Sequence, residues 1–226
     1  MIRVVLFDID GTLVRTGGAG VRAFEKTFAS QFNAPDATRN VKFAGRTDPS
    51  LVRECLTRHQ IDPGAEEFDR FFTTYVFWLQ HLLMEAAGSV CPGTHELIDG
   101  LQRLKNPPLL GLLTGNIRLG AEIKLRHYDL WGLFETGAFG DDHEDRNQLA
   151  AIARDRASAH LGKPVSGDEI LVIGDTPLDI RCAQAIQAKS LAVATGGATH
   201  ADLAAHQPTV LLRDLTEITP EQLCAA

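Results

Sequence analysis

The stretch VVLFDIDGTL (Val4–Leu13) decides the fold. Its first half continues an apolar run that starts at Ile2, is interrupted only by Arg3, and stops at a carboxylate, Asp8. An unbroken run of β-branched and aliphatic residues reads as a strand buried on both faces, as in a parallel sheet. Similar runs recur at 109–113, 170–173, 191–194 and 210–212, and helical patterns separate them at 94–104, 118–130, 147–161, 177–188 and 200–206. Strand alternating with helix predicts an α/β fold with a parallel sheet covered on both faces.

About ninety residues lie between the first two strands, far more than one crossover needs. No strand is read in that interval. Val21, Phe24, Phe28 and Phe32 share one helical face, and Asp48-Pro49 reads as an N-cap followed by a first-turn proline. Phe68, Phe71, Phe72, Tyr75, Leu79, Leu82 and Leu83 form a wide apolar stripe at helical spacing. Residues 16–90 are therefore expected to be a small helical bundle inserted into a core made of residues 1–15 and 91–226. Its aromatic stripe is bundle core. Gly17-Gly18 and Pro92-Gly93 mark the crossings.

With 226 residues, 44% of them hydrophobic and 23% charged, the chain has the composition of a globular protein built from one or two domains. A net charge of -7, with lysines and arginines scattered, argues against nucleic acid or an acidic membrane surface as partner. No apolar run approaches the roughly 20 residues that span a bilayer. Cys55, Cys91, Cys182 and Cys224 show no CxxC spacing, and the eight histidines show no HxH or HExxH spacing. Reduced thiols, and a first strand with no basic leader before it, lead to the expectation of a cytoplasmic protein.

Four segments place polar residues where a hydrophobic run gives out: Val4–Leu13, Leu109–Asn116 (LLGLLTGN), Gly140–Leu149 (GDDHEDRNQL) and Ile170–Ile180 (ILVIGDTPLDI). In such sheets ligands bind beyond the carboxyl ends of the strands. Asp8, at the end of the first strand, can attack phosphorus as a nucleophile, and Asp10 can serve the leaving group and then water as acid and base. Gly11 and Thr12 shape the turn between them and the next residue along. Asp8, Asp10, Asp175 and Asp179 around a phosphate would repel one another without a cation, so Mg2+ is expected. Its ligands would be Asp8, Asp175 and the Asp10 carbonyl, with Asp179 orienting them. Thr114, Gly115 and Asn116 form an anion cradle, and Arg146 pairs with phosphate. A calcium loop at Asp8 is excluded, because its sixth and twelfth positions would be Leu13 and Ala19 rather than Gly and Glu. Taken singly, these segments are turns, helix caps or solvated charges; the set in this order is not.

With those residues in place, the chain resembles the haloacid dehalogenase superfamily, most closely its phosphoglycolate phosphatase-like branch, over nearly its whole length. Asp8-Ile9-Asp10-Gly11-Thr12-Leu13 and Gly174-Asp175-Thr176 with Asp179 carry the resemblance. It implies a Rossmann-like three-layer core, a mobile helical cap, magnesium and an aspartyl-phosphate intermediate. The basic residue of the family's third motif is usually lysine. Arg146 is assigned here in its place, with Lys124 as the alternative, although Lys124 is expected on a solvated or structural helix face. In the cap, Phe43-Ala44-Gly45-Arg46-Thr47-Asp48 resembles a substrate loop that would set Arg46 over the pocket to read a second anion. The expected function is a magnesium-dependent phosphatase acting on a small phosphorylated molecule. A mutase similar to β-phosphoglucomutase and a non-catalytic phosphate-binding regulator are the alternatives, and nothing in the sequence fixes an oligomeric state.

Overall fold

A computed structural model describes residues 1–225. In chain order the elements are β1 (Val4–Phe7), β2 (Val14–Arg15), α1 (Ala19–Phe32), α2 (Asp48–Arg58), α3 (Ala65–Glu85), β3 (Ser89–Val90), α4 (Thr94–Gln102), β4 (Leu109–Leu113), α5 (Arg118–His127), β5 (Thr136–Ala138), α6 (Arg146–His160), β6 (Ile170–Gly174), α7 (Pro177–Ala185), β7 (Lys189–Val193), α8 (His200–Ala204), β8 (Val210–Leu212) and α9 (Pro220–Ala225). Six strands form one parallel sheet in the order β5-β4-β1-β6-β7-β8.

Period-two alternation sorts the central strand between two cores. Val5 and Phe7 point to the layer of α4, α5 and α9, where Leu97, Ile98, Leu101, Ala121, Leu125 and Leu223 are buried. Val4 and Leu6 point to the layer of α6 and α7, packed by Leu149, Ala150, Ala153, Ala157, Cys182 and Ala183. This is the three-layer α/β core the strand pattern predicts. Small residues on α6 let that helix lie close to the sheet.

Between β2 and β3 the chain builds the inserted helices α1, α2 and α3. Their core is aromatic: the Phe24 ring lies 4.9 Å from both Phe71 and Tyr75, and Phe28 lies 4.8 Å from Phe71. Leu51, Cys55, Leu79 and Leu83 complete it, and Ile117 from the β4–α5 connection joins it, so the helical cap rests on α5. The two chain crossings pair with each other as an antiparallel ribbon, Val14 opposite Val90 and Arg15 opposite Ser89.

Three sequence expectations change. The ribbon β2–β3 lies in and beside an interval read as free of strands; two residues per strand are too short for any periodicity. Strand β5, Thr-Gly-Ala, has no apolar run, and the sequence pattern does not predict it. Thr47 rather than Asp48 caps α2, its hydroxyl accepting from the Ser50 N–H at 3.4 Å, while Asp48 starts the helix and turns its carboxylate elsewhere. Among the described residues no helix is long and apolar enough to cross a membrane.

Candidate active site

Strand register assembles the site. Phe7 is level with Leu112 of β4 and Ile173 of β6, so Asp8, one residue further out, and Thr114 and Asp175, each two residues further out, emerge together at the carboxyl edge where the strand order reverses direction. The Asp8 N–H donates to Ile173 O at 2.9 Å and the Thr114 N–H to Ala138 O at 3.1 Å, which fixes both strand ends. Beyond Asp8 the chain turns through Gly11 at φ 86°, a left-handed conformation that favours glycine. A Cβ there would also press on the Asp175 carboxylate. Thr12 then donates its hydroxyl to Asp175 Oδ1 at 3.3 Å, tying the first loop to the last.

Arg146, first residue of α6, is buried among these carboxylates. Its Nη2 donates to Asp8 Oδ1 at 2.7 Å, Asp179 Oδ1 at 2.5 Å and Leu113 O at 3.1 Å, and its Nη1 to Gly45 O at 3.1 Å. Asp179 Oδ2 accepts from the N–H and hydroxyl of Thr176 at 3.0 and 2.6 Å, closing a capping box at the start of α7. Burial opposes the charge on Arg146, but the Asp179 and Asp8 carboxylates outweigh it and hold the guanidinium well above its ordinary range. Burial pushes Asp8 up to about 7; the Arg146 charge pulls against it and Asp179 adds to it. Burial and then the Asp8 charge push Asp175 up to about 8.

A second cation serves the second carboxylate. Lys124 Nζ lies 2.6 Å from Asp10 Oδ2 and 2.6 Å from Asn116 Oδ1, and Asn116 Nδ2 donates to the same Asp10 oxygen at 2.8 Å. Asn116 Nδ2 also donates to Thr114 Oγ1 at 2.8 Å. Asp10, unlike Asp8, is largely open: 42% of its side chain is exposed against 6% for Asp8. One loop thus presents two carboxylates in different surroundings, each with its own cation.

The loop before α2 closes over this edge. The Asp48 N–H donates to Gly115 O at 2.7 Å, and the Asp48 carboxylate accepts from the Ile117 N–H at 2.9 Å. Thr47 Oγ1 donates to Glu144 O at 2.8 Å, and Arg53 Nε donates to both Glu144 oxygens at 3.0 Å. The backbone of Arg46 packs directly on Gly115, where a Cβ would meet its carbonyl. Together these elements enclose a cavity of about 270 Å³ that contains Asp8, Asp10, Thr114, Lys124, Arg146 and Asp175 on its wall.

The residues suit a hard divalent cation. Carboxylate oxygens of Asp8, Asp175 and Asp179 lie within 4.8 Å of one another, all buried. Three carboxylates face one guanidinium, and oxygen donors in that excess are what such a cation requires. Gly11 and Gly196 leave open the space beside the Asp175 carboxylate that a Cβ at either position would fill.

Of the residues expected from the sequence, Asp8, Asp10, Thr114, Gly115, Asn116, Arg146, Arg46 and Asp175 line the cavity, while Asp179 stands behind Asp8 through Arg146. Within the expected anion cradle, the Asn116 N–H turns back to Thr114 Oγ1 at 3.3 Å and the Ile117 N–H goes to Asp48. Arg46 points its guanidinium at Glu54, 2.5 Å away, and at Ser50 O. Lys124, expected on a solvated or structural face and as the alternative to Arg146, is 4% exposed, so the solvated reading falls. Gly120 and Ala121, one turn back on α5 and also buried, form a small-residue face that signals close packing. Asp48 and Tyr75 also line the cavity and were read only as a helix cap and as bundle core.

Comparison with known proteins agrees with this architecture. The chain is 27% identical to pyrophosphatase PpaX of Oceanobacillus iheyensis, over 96% of this chain and 95% of that protein. It is 25% identical to phosphoglycolate phosphatase of Photorhabdus laumondii, over 96% and 91%. The crystal structure of CbbY from Rhodobacter sphaeroides in complex with phosphate superposes with a TM-score of 0.74 at 21% identity, covering 96% of each chain. A sequence profile of the family described as haloacid dehalogenase-like hydrolase matches residues 5–193, from the first sheet strand through the fifth in chain order. The chain belongs to the haloacid dehalogenase-like hydrolases.

Proposed function

We propose that the protein is a magnesium-dependent phosphatase that hydrolyses a small phosphomonoester through an aspartyl-phosphate on Asp8. The observation that carries this reading is the pair of unlike carboxylates on one loop: Asp8 buried against Arg146, Asp10 half-open against Lys124. A nucleophile needs fixed geometry and exclusion of water, whereas a proton carrier needs access to both leaving group and solvent.

With Asp8 Oδ1 engaged by Arg146, Oδ2 attacks phosphorus and the ester oxygen leaves, taking a proton from Asp10 Oδ1. In the second half Asp10 removes a proton from water, the hydroxide adds to phosphorus, and Asp8 is released with inorganic phosphate. Lys124 and Asn116 hold Asp10 Oδ2 and so orient its other oxygen. Thr114 keeps its hydroxyl hydrogen for a phosphoryl oxygen, because Asn116 donates to it. Arg146 offsets charge on the phosphoryl group and fixes Asp8. Magnesium, held by Asp8, Asp175 and the Asp10 carbonyl, would neutralise the phosphoryl oxygens and the carboxylate cluster. Asp179 orients the set through Arg146 and Thr176.

Residues 16–90 act in this reading as a cap whose closure excludes water and whose opening releases product. Two relatives bear the names of enzymes for small phosphorylated compounds, phosphoglycolate and pyrophosphate, which supports a small phosphorylated substrate without fixing what else it carries. Four free cysteines support a cytoplasmic setting. Phosphate release from a panel of phosphomonoesters, with and without magnesium, tests the reading. Asp8→Asn should abolish turnover and leave the circular dichroism spectrum unchanged; a folded Asp8→Asn protein that still turns over would sink the mechanism.

A further inference from the structure

We propose that the substrate carries no second anionic group: Glu54 draws Arg46 away from the cavity, so the site selects small phosphomonoesters of uncharged, partly apolar alcohols. The inference rests on the phosphatase reading and narrows its substrate class.

The cavity wall has two halves. The sheet side holds Asp8, Asp10, Lys124, Arg146 and Asp175, and the cap side presents Val21, Phe24, Phe43, Leu51 and Tyr75 beside Arg46, Asp48 and several glycines. At about 270 Å³ the space is near the lower end of the roughly 300–1,000 Å³ usual for small-molecule sites, so the phosphoryl group leaves room for only a small alcohol.

Three cationic side chains line the cavity, and each already has a carboxylate partner. Arg146 is committed to Asp8 and Asp179, and Lys124 to Asp10. Arg46 is the residue a second anion would need. Its Nη1 lies 2.5 Å from Glu54 Oε2 and its Nη2 3.3 Å from Ser50 O, while Arg58 holds the other Glu54 oxygen at 3.2 Å. Glu54 is not on the cavity wall, so the pair directs the guanidinium along α2 and away from the pocket. A carboxylate or second phosphate on the substrate would instead face Asp10 and the apolar cap wall. An anion desolvated without a partner is costly, and a like-charge neighbour adds to that cost. A neutral carbon skeleton meets no such penalty and gains by covering Phe24, Phe43 and Tyr75.

Glu54 acts through Arg46 and is a positioning residue, so its effect should be readable only while Arg46 is present. The test uses a matched pair, phosphoglycolate and 2-hydroxyethyl phosphate, which differ by a carboxylate in place of a hydroxymethyl group. Phosphate release in magnesium buffer is measured for the wild type, Glu54→Gln, Arg46→Gln and the double variant, and calorimetry reads binding of both compounds to the wild-type protein. The wild type should favour the neutral ester by about tenfold or more in kcat/KM, mainly through KM. Glu54→Gln should narrow that ratio by lowering KM for phosphoglycolate, and should lose its effect when Arg46 is also replaced. Equal or better use of phosphoglycolate by the wild type, or a ratio indifferent to Glu54→Gln, overturns the inference. If neither ester is turned over, tighter binding of the neutral compound sustains the inference while the phosphatase reading falls. Tighter or equal binding of phosphoglycolate, or binding of neither, overturns the inference.

Discussion

Asp48→Asn changes one atom in the joint between cap and core, and its effect on stability should depend on pH. The Asp48 carboxyl is 7% exposed and accepts the Ile117 N–H at 2.9 Å. Burial raises its pKa from 3.8 to about 7, against the lowering by the Lys124 charge and the Ile117 hydrogen bond. The folded protein therefore keeps this proton to higher pH than the unfolded chain does. The contribution of the group to stability is complete below the unfolded value and is lost as pH rises through about 7. A shift of about three units at 1.36 kcal/mol each gives a swing of about 4 kcal/mol. Asparagine keeps a carbonyl oxygen for the Ile117 N–H and cannot ionise. Urea unfolding of both proteins in magnesium-free buffer, from about pH 4 to about pH 8, should show the difference moving in favour of Asn by up to about 4 kcal/mol, with equal slopes against urea. A difference that stays constant with pH, or moves in favour of Asp, would refute the reasoning.

Three further outcomes are expected. Phe71→Ala, at a fully buried ring in contact with Phe24 and Phe28, should cost about 3–5 kcal/mol in urea unfolding; a loss below about 1 kcal/mol would mean the cap is not held by its aromatic cluster. Gly196→Ala places a methyl group against the Asp175 carboxylate and should raise the magnesium concentration for half-activation by about 10–100-fold, with magnesium calorimetry showing the same loss. Unchanged magnesium binding would remove Asp175 from the proposed ligand set. Lys124→Met keeps the length of the stem but takes the ammonium from Asp10, and kcat should fall about 100-fold with little change in KM. An unchanged kcat would leave Lys124 a structural residue only.

The sheet core was legible because its buried strands are apolar without interruption and each stops at a polar residue, as at Phe7-Asp8 and Ile173-Gly174-Asp175. Strand β5 escaped because Thr-Gly-Ala gains its strand character from pairing with Gly111–Leu113, a tertiary effect with no local signature. The burial of Lys124 is illegible in the sequence for a related reason. A lysine on a helix is usually solvated, and only Asp10 and Asn116, 114 and 8 residues away in sequence, turn it inward. The partner of Arg46 lies only eight residues on, yet Glu54 competes there with a substrate whose charge the sequence does not state. The capping residue of α2 was misplaced by one position because both Thr47 and Asp48 can cap. The contact between Asp48 and Ile117 decided it, and that contact spans 69 residues.

The joint over the site is written largely in main-chain atoms. Arg146 reaches Gly45 O, the Asp48 N–H reaches Gly115 O, and the Thr47 hydroxyl reaches Glu144 O. Peptide groups survive almost any substitution at their own positions, so the Gly45, Gly115 and Glu144 side of this seam does not depend on which side chains those positions carry. The cap wall, by contrast, carries the large side chains of Val21, Phe24, Phe43, Leu51 and Tyr75. Substitutions in the cap wall can therefore resculpt what the cavity accepts without touching the carbonyls on which the cap is seated.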